Sequence, residues 1–331
     1  MSFAYITEEG AYIKKRGERF VVGRNQEIVM EIPCHILEGL VLIDSVQVSS
    51  AAMVALLQLG VPVTWISRRG KFFGRLESTR HVHVERQAKQ IALQGSDFFL
   101  RMGKKVVAAK VHNQLTILRR YNRRGQVSAI DTAIQNILAM RKNIFMAENA
   151  GKLMGYEGII ARVYFEAVGK LMPAEFAFNC RSRRPPLDAV NSMLSFGYTL
   201  LMYEVYTALT IHGLHPYFGF LHALRNHHPA LASDLMEEWR AVVVDSLVLS
   251  IIHHHEILPA HFERDEEGAG VYLTRVGRQI FLSAYERKMR TVNRYMSGAG
   301  SYRQSLPQQA ERFAQAMMAG KEEGYEPLFL R

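Results

Sequence analysis

Between His222 and Trp239 the chain reads HALRNHHPALASDLMEEW, three histidines followed by three carboxylates across what patterns as one loop and one helix. Imidazole beside hard oxygen donors is the material of a metal site, and equally of a polar helix start. The difference lies in whether the groups can stay in water. On a helix beginning near Pro229, advancing about 100° per residue, Glu238 and Asp245 fall within about 40° of Asp234 and make one acidic stripe, with Asp234 at its rim. Glu237 lies about 60° to the other side, over Ala241, Val244 and Val248, so its carboxylate heads into an apolar surface. A carboxylate there needs a cation, a metal or a proton, whereas Glu238 on the wet stripe should tolerate substitution.

The same construction on LMGYEGIIARVYFEAVGKL puts Glu157 in the middle of a stripe made by Met154, Ile160, Ala161, Tyr164, Val168 and Leu171, with Arg162, Glu166 and Lys170 opposite. An acid at the centre of an apolar stripe breaks the local pattern, and such breaks are expected at functional sites. The competing reading is a first-turn acid favoured by the helix dipole, but the apolar pattern already begins at Leu153. If Glu157 is buried without an ion, only a proton can neutralise it, and Glu157→Gln should then leave the metal-free fold as stable as before or more so. His222 ends the Gly- and Pro-punctuated run GLHPYFGFLH, from which a loop can bring its ring to the start of the Pro229 helix. A lone loop histidine is more often a satisfied core residue. Its company here, two carboxylates facing apolar surface, suits Mn²⁺ or Mg²⁺ better than zinc.

Nearby groups take lesser roles. Asp234 is a candidate for orienting a ligand or for an occasional second metal position, and His227 and His228 for rim contacts to phosphate or for capping. His253, His254 and His255 point in three directions on a helix, and His81-Val82-His83 lacks the Asp-His continuation of a binuclear hydrolase motif.

These residues must be carried by something. From Ala4 to about Leu76 the runs AYI, FVV, IVMEI, LVLI, VPVTWI and KFFGRL are separated by turn signals, which predicts a β domain over residues 1–77 with one capped helix at Ser49–Leu59. After a linker at 78–84 the periodicity becomes helical and stays so almost to the end, so 85–331 is expected to be an all-helical domain holding the site. Helix starts are expected at Ser96-Asp97, Ser128, Asp188, Pro229 and Thr274. The fold class is therefore α+β, a small β-sheet domain followed by a larger helical one.

The 331 residues suffice for two domains, and Lys and Arg exceed Asp and Glu by 41 to 31, which favours a polyanionic partner without proving one. The segment 98–130 carries Arg101, Lys104, Lys105, Lys110, Arg119, Arg120, Arg123 and Arg124 with no acid, unlike a solvated helix face, which mixes signs. With Arg181, Arg183 and Arg184 it reads as a surface that tracks phosphates, and Arg275 to Arg294 holds a further basic cluster. Cys34 and Cys180 share no ligand or redox spacing, and the N-terminus has no signal-peptide pattern. The longest apolar stretch is too short to span a bilayer, so a cytoplasmic protein with no membrane partner is expected.

At these residues the sequence resembles the integrase of the CRISPR adaptation module. The likeness is carried by GYEGIIARVYF around Glu157, RSRRPPLDAVNSMLSFGYTLL from Arg181, GLHPYFGFLH ending at His222, ALASDLMEEWR containing Glu237, and a β domain ending in VPVTWISRRGKFFGRL. His215 departs from the Asp frequent in that turn, and Ala189 from a frequent proline. The resemblance implies a dimerising β domain and Mn²⁺ or Mg²⁺ held by Glu157, His222 and Glu237. It also implies a small ferredoxin-like partner that joins two homodimers, double-stranded and branched DNA as substrates, and insertion of spacers into a repeat array by transesterification. Without it, the residues leave open a metal-dependent phosphohydrolase of small substrates and a helical nucleic-acid-binding protein without catalysis.

Overall fold

The computed structural model describes residues 2–123, 125, 127–266, 268–295 and 298–330, without the side chains of Ser2, Arg294, Tyr295 and Ala299. Two compact units result, Met1–Val82 and His83–Arg331, the division falling inside the segment 78–84.

In the first unit the strands are β1 (Ser2–Ile6), β2 (Tyr12–Arg16), β3 (Arg19–Arg24), β4 (Glu27–Pro33), β5 (Leu37–Ile43), β6 (Gln47–Val48), β7 (Val63–Ile66) and β8 (Phe72–Leu76), with α1 (Ser50–Leu59) between β6 and β7. They form two four-stranded sheets, ordered β1-β5-β7-β8 and β4-β3-β2-β6. The β5–β7 pair is parallel and needs the crossover that α1 supplies, while β3 and β4 form a hairpin whose two turn residues, Asn25 and Gln26, both have positive φ. Ile6, Ile13, Phe20, Val22, Leu42, Leu56 and Val63 fill the core, and the edge strand β4 leaves Ile28, Val29 and Met30 exposed.

The second unit contains α2 (Val84–Ala92), α3 (Asp97–Tyr121), α4 (Ser128–Met146), α5 (Ala150–Leu171), α6 (Ala189–Ile211), α7 (Ala230–Trp239), α8 (Ser246–His253), α9 (Arg275–Met289) and α10 (Tyr302–Ala319). Ser96, Asp188 and Thr274 each accept a hydrogen bond from the backbone N–H three residues on, as N-caps do. Ser128 opens α4 without a side-chain cap, and Pro229 stands just before α7 rather than inside it. The expectation of unbroken helix is corrected at two short hairpins, Phe262–Arg264 with Val271–Leu273 and Val292–Tyr295 with Gly298–Ser301. Their short β-branched and aromatic runs sit beside glycines, which interrupt helical periodicity.

Helix α3 packs against α4, α5 and α7, and α6 packs against α7 and α10. Every residue of α7 is buried. A helix enclosed on all sides has no wet face, and that decides where its acids can go.

Candidate metal centre

Asn149 caps α5, accepting from Lys152 N, so Glu157 lies two turns inside the helix and not in its first turn. Leu153, Ile160, Tyr164 and Val168 are buried along the same helix. Their packing turns the Glu157 carboxylate towards α3, where Lys110 Nζ donates to its Oε1. The same ammonium stands 2.5 Å from Glu237 Oε2 on α7, and Arg240 Nε stands 3.1 Å from Glu237 Oε1. Nε2 of His222 lies 3.9 Å from that Oε1. Three separate elements and one loop thus converge on a single point.

The electrostatics follow from this convergence. Burial would lower the Lys110 pKa, but the Glu157 and Glu237 carboxylates outweigh it and the ammonium is held charged. Burial pushes Glu237 up, yet Arg240, Lys110 and His222 together bring it down to about 2. Arg240 is likewise kept charged against burial, chiefly by Glu237, and its guanidinium lies over the Tyr198 ring at 4.7 Å.

The loop that presents His222 is built around Asp234, which is fully buried and not at a rim. Its Oδ2 accepts from Phe220 N and Leu221 N, and its Oδ1 from His222 N and from His222 Nδ1 at 2.6 Å. The loop backbone must pass against the first turn of α7 to make these bonds, and only glycine fits at 219, where a Cβ would lie 2.3 Å from Asp234 Oδ2 and 2.8 Å from the Ala230 carbonyl carbon. Gln90 on α2 holds the other side of the loop, donating to His215 O and Phe218 O and accepting from His215 N. The departures at His215 and Ala189 leave this arrangement standing.

Among the described residues no group of three His, Cys, Asp or Glu side chains stands ready-made for a metal ion. The Lys110 ammonium fills the space between the two carboxylates. The donor set nonetheless fits a hard divalent ion: two carboxylates and an imidazole whose Nδ1 is engaged by Asp234, leaving Nε2 towards Glu237. Glu237 Oε2 has an ion partner but no aligned hydrogen bond, an unspent acceptor at the point of convergence.

The acidic stripe expected on α7 does not exist. Glu238 is buried, accepting from Gln309 Nε2, Tyr325 OH and Leu328 N, and so holds the C-terminal segment 325–330 against α7. Asn113 on α3 completes that clamp through Glu238 O, Leu328 O and Leu330 N. Asp245 leaves the predicted phase because Arg240–Asp245 is π-helical, and the wider turn carries its carboxylate to Tyr164 OH and Tyr198 OH.

The basic segment 98–130 divides by partner. Lys110 is in the centre, not on the surface. Arg101 pairs with Glu322 at 2.6 Å, Lys105 donates to Glu322 O and Tyr325 O, and Lys104 donates to Phe145 O, so these three cations serve the fold. Arg119, Arg120 and Arg123 are exposed at the C-terminal end of α3, and Arg183 and Arg184 are exposed before α6. Arg181 is half-buried, its guanidinium 5.4 Å from the Tyr198 ring centre. Arg124 lies outside the described residues. Sequence reasoning missed Gln90, Asn113, Arg240 and the central role of Lys110. Only Lys110 carried a signal, a lysine inside the apolar run from Val106 to Val111.

The family described as CRISPR associated protein Cas1 matches residues 4–287. A Thermus thermophilus protein named CRISPR-associated endonuclease Cas1 3 is 33% identical over 332 residues, covering 99% of this chain and 97% of its own. Among solved structures, a chain of a Cas6-RT-Cas1–Cas2 complex superposes with a TM-score of 0.85 at 24% identity, over 100% of this chain and 36% of that one. A casposase bound to integration product gives 0.83 at 21% identity, over 97% and 92%. These two likenesses are of fold.

Proposed function

The chain belongs to the CRISPR-associated Cas1 family, and from that premise we propose that it is a metal-dependent DNA endonuclease and integrase that inserts short DNA segments into a CRISPR repeat array. The observation that carries this reading is the convergence of Glu157, Glu237 and His222 from separate elements, with the far ring nitrogen of His222 engaged by a fully buried carboxylate.

In strand transfer a 3′-hydroxyl attacks a phosphodiester. One phosphorus–oxygen ester bond forms, one breaks, and the hydroxyl proton passes through solvent to the departing oxygen. Mn²⁺ or Mg²⁺ held by Glu157, His222 and Glu237 would supply Lewis acidity to the phosphoryl group. Asp234 keeps the His222 ring in register, and Arg240 fixes the Glu237 carboxylate. Because the exchange conserves ester bonds, it can run backwards and disintegrate branched DNA, and water in place of the hydroxyl gives cleavage.

The exposed Arg119, Arg120, Arg123, Arg183 and Arg184 suit contacts to DNA phosphates. A homodimer through the β unit is supported by the exposed apolar edge of β4. The assembly with a small ferredoxin-like partner is supported by the relationship to Cas1, which the related complex pairs with Cas2. Among the described residues no helix is long and apolar enough to cross a membrane, and a cytoplasmic location belongs to the same proposal.

The test is turnover of branched DNA with Mn²⁺ and with chelator. Metal-dependent strand exchange, lost in Glu157→Gln, His222→Ala and Glu237→Gln, supports the integrase. Hydrolysis confined to small phosphodiesters would instead mark a phosphohydrolase, and binding without turnover a binding module.

A further inference from the structure

The side chains at the point of convergence already balance in charge. Glu157 and Glu237 face Lys110 and Arg240, each cation within ion-pair distance of a carboxylate. Asp234 is answered separately, by three backbone N–H groups and the His222 ring. A divalent ion joining Glu157, Glu237, Lys110 and Arg240 would leave a surplus of positive charge that Asp234 offsets only in part, in a largely buried site, a costly state unless an anion enters or a cation leaves. The Lys110 ammonium also occupies the space between the carboxylate oxygens of Glu157 and Glu237, two of the groups that would hold the ion. Lys110 sits on a flexible four-carbon stem, whereas Arg240 is pinned by Glu237 and the Tyr198 ring.

We propose that Lys110 is the resident counter-cation of this site, and that it exchanges its two carboxylates for a phosphodiester of the DNA when a divalent ion enters, so that metal and DNA bind cooperatively. The inference rests on the metal-site reading above and goes beyond it, because it assigns the order of events to one lysine. Without DNA, Lys110 competes with the ion for Glu157 and Glu237 and keeps metal affinity low. A phosphodiester gives the displaced ammonium a partner and removes part of the surplus charge. Linkage then requires that the ion raise DNA affinity by the same factor as DNA raises affinity for the ion.

The experiment follows free Mn²⁺ by its paramagnetic resonance signal, which reads binding and not turnover. The full-length protein is titrated alone, with a short branched DNA, and with the same DNA carrying uncharged methylphosphonate linkages at the branch. The expected result is about a tenfold or greater gain in Mn²⁺ affinity with ordinary DNA and little with the uncharged analogue. Lys110→Met should bind Mn²⁺ more tightly than wild type without DNA and gain little when DNA is added. Should that variant fail to fold, Lys110→Gln, which keeps a polar side chain without the charge, carries the same comparison, together with DNA affinity measured with and without Mn²⁺. An unchanged wild-type affinity on adding DNA, or an undiminished DNA effect in Lys110→Met, overturns the role of Lys110. Wild-type Mn²⁺ binding that survives in both Glu157→Gln and Glu237→Gln would instead overturn the metal site itself, and with it this inference.

Discussion

His222 Nδ1 stands 2.6 Å from Asp234 Oδ1, and the same carboxylate accepts the backbone N–H of His222. One fully buried acid therefore sets both where the histidine loop lies and which ring nitrogen faces Glu237. With its Nδ1–H donated to Asp234, a neutral ring would present the Nε2 lone pair that a metal ligand needs.

Asp234→Asn is predicted to weaken Mn²⁺ binding about 10- to 100-fold. Its amide has one acceptor oxygen where the carboxylate has two, so at least one of the loop N–H groups loses its partner, at about 1–3 kcal/mol of stability. Calorimetric titration with Mn²⁺ and denaturant unfolding measure the two effects. Wild-type affinity in the variant would show that Asp234 shapes the loop and has no hold on the metal.

Glu157→Gln is predicted to remove the metal-induced rise in melting temperature, which in wild type reflects about 2.7 kcal/mol at a hundredfold excess over Kd. The structure revises one expectation for the metal-free protein. Lys110 pairs with Glu157 directly, so the variant loses an ion partner and should be less stable with chelator by about 1–3 kcal/mol. Thermal melting of both proteins with chelator and with excess Mn²⁺ separates these effects. Equal metal-induced shifts would place the ion elsewhere.

Glu238 links stability to pH. Burial raises it to about 7 from an ordinary 4.5, against hydrogen bonds from Tyr325, Leu328 and Gln309 that favour the anion. Between those values the native state keeps a proton that the unfolded chain has released. Its stabilising effect is therefore full below about pH 4.5 and declines as pH rises to about 7, by about 3 kcal/mol. Glu237, lowered to about 2, acts oppositely and below that window, its contribution being lost as pH falls from 4.5 towards 2. Denaturant unfolding of Glu238→Gln from pH 5 to 8 should show a flatter profile than wild type, and an identical slope in both would assign the pH dependence to other groups.

The sequence made Glu157 and Glu237 visible because each faces apolar neighbours at helical spacing, a signal local to one element. It failed at Glu238 because the stripe construction supposes a wet side, while α7 is enclosed on all sides by contacts that no local window contains. The acceptor role of Glu238 depends on Tyr325 and Leu328, nearly ninety positions away. Asp245 was misplaced for another reason, since 100° per residue holds only until the π-helical turn at Arg240. Lys110 hid among seven other cations whose shared sign concealed different partners. The β-sheet unit was the more legible part, because its alternating runs and glycine-marked turns are themselves local, although the six runs read from Ala4 left β2 and the two-residue strand β6 without one of their own.

That division among cations gives a last prediction, which separates DNA contacts from fold contacts within one helix. Arg119, Arg120 and Arg123 are exposed at the end of α3, and Arg120 neighbours Lys288, whose pKa falls to about 8 through burial and that arginine. Positive charge crowded in this way is relieved by phosphate. Replacing the three arginines with Gln should weaken binding to unrelated duplexes alike and reduce the log–log salt slope by about 0.9 for each lost phosphate contact. Replacing Arg101, Lys104 and Lys105 should leave that slope unchanged and lower the melting temperature instead, because their partners are Glu322, Tyr325 and Phe145 of the same chain. Duplex binding across a salt series, with thermal melting of both triple variants, decides between the assignments. A salt slope that falls in the second variant and not in the first would put the DNA path along the N-terminal turns of α3, against the pairing seen there.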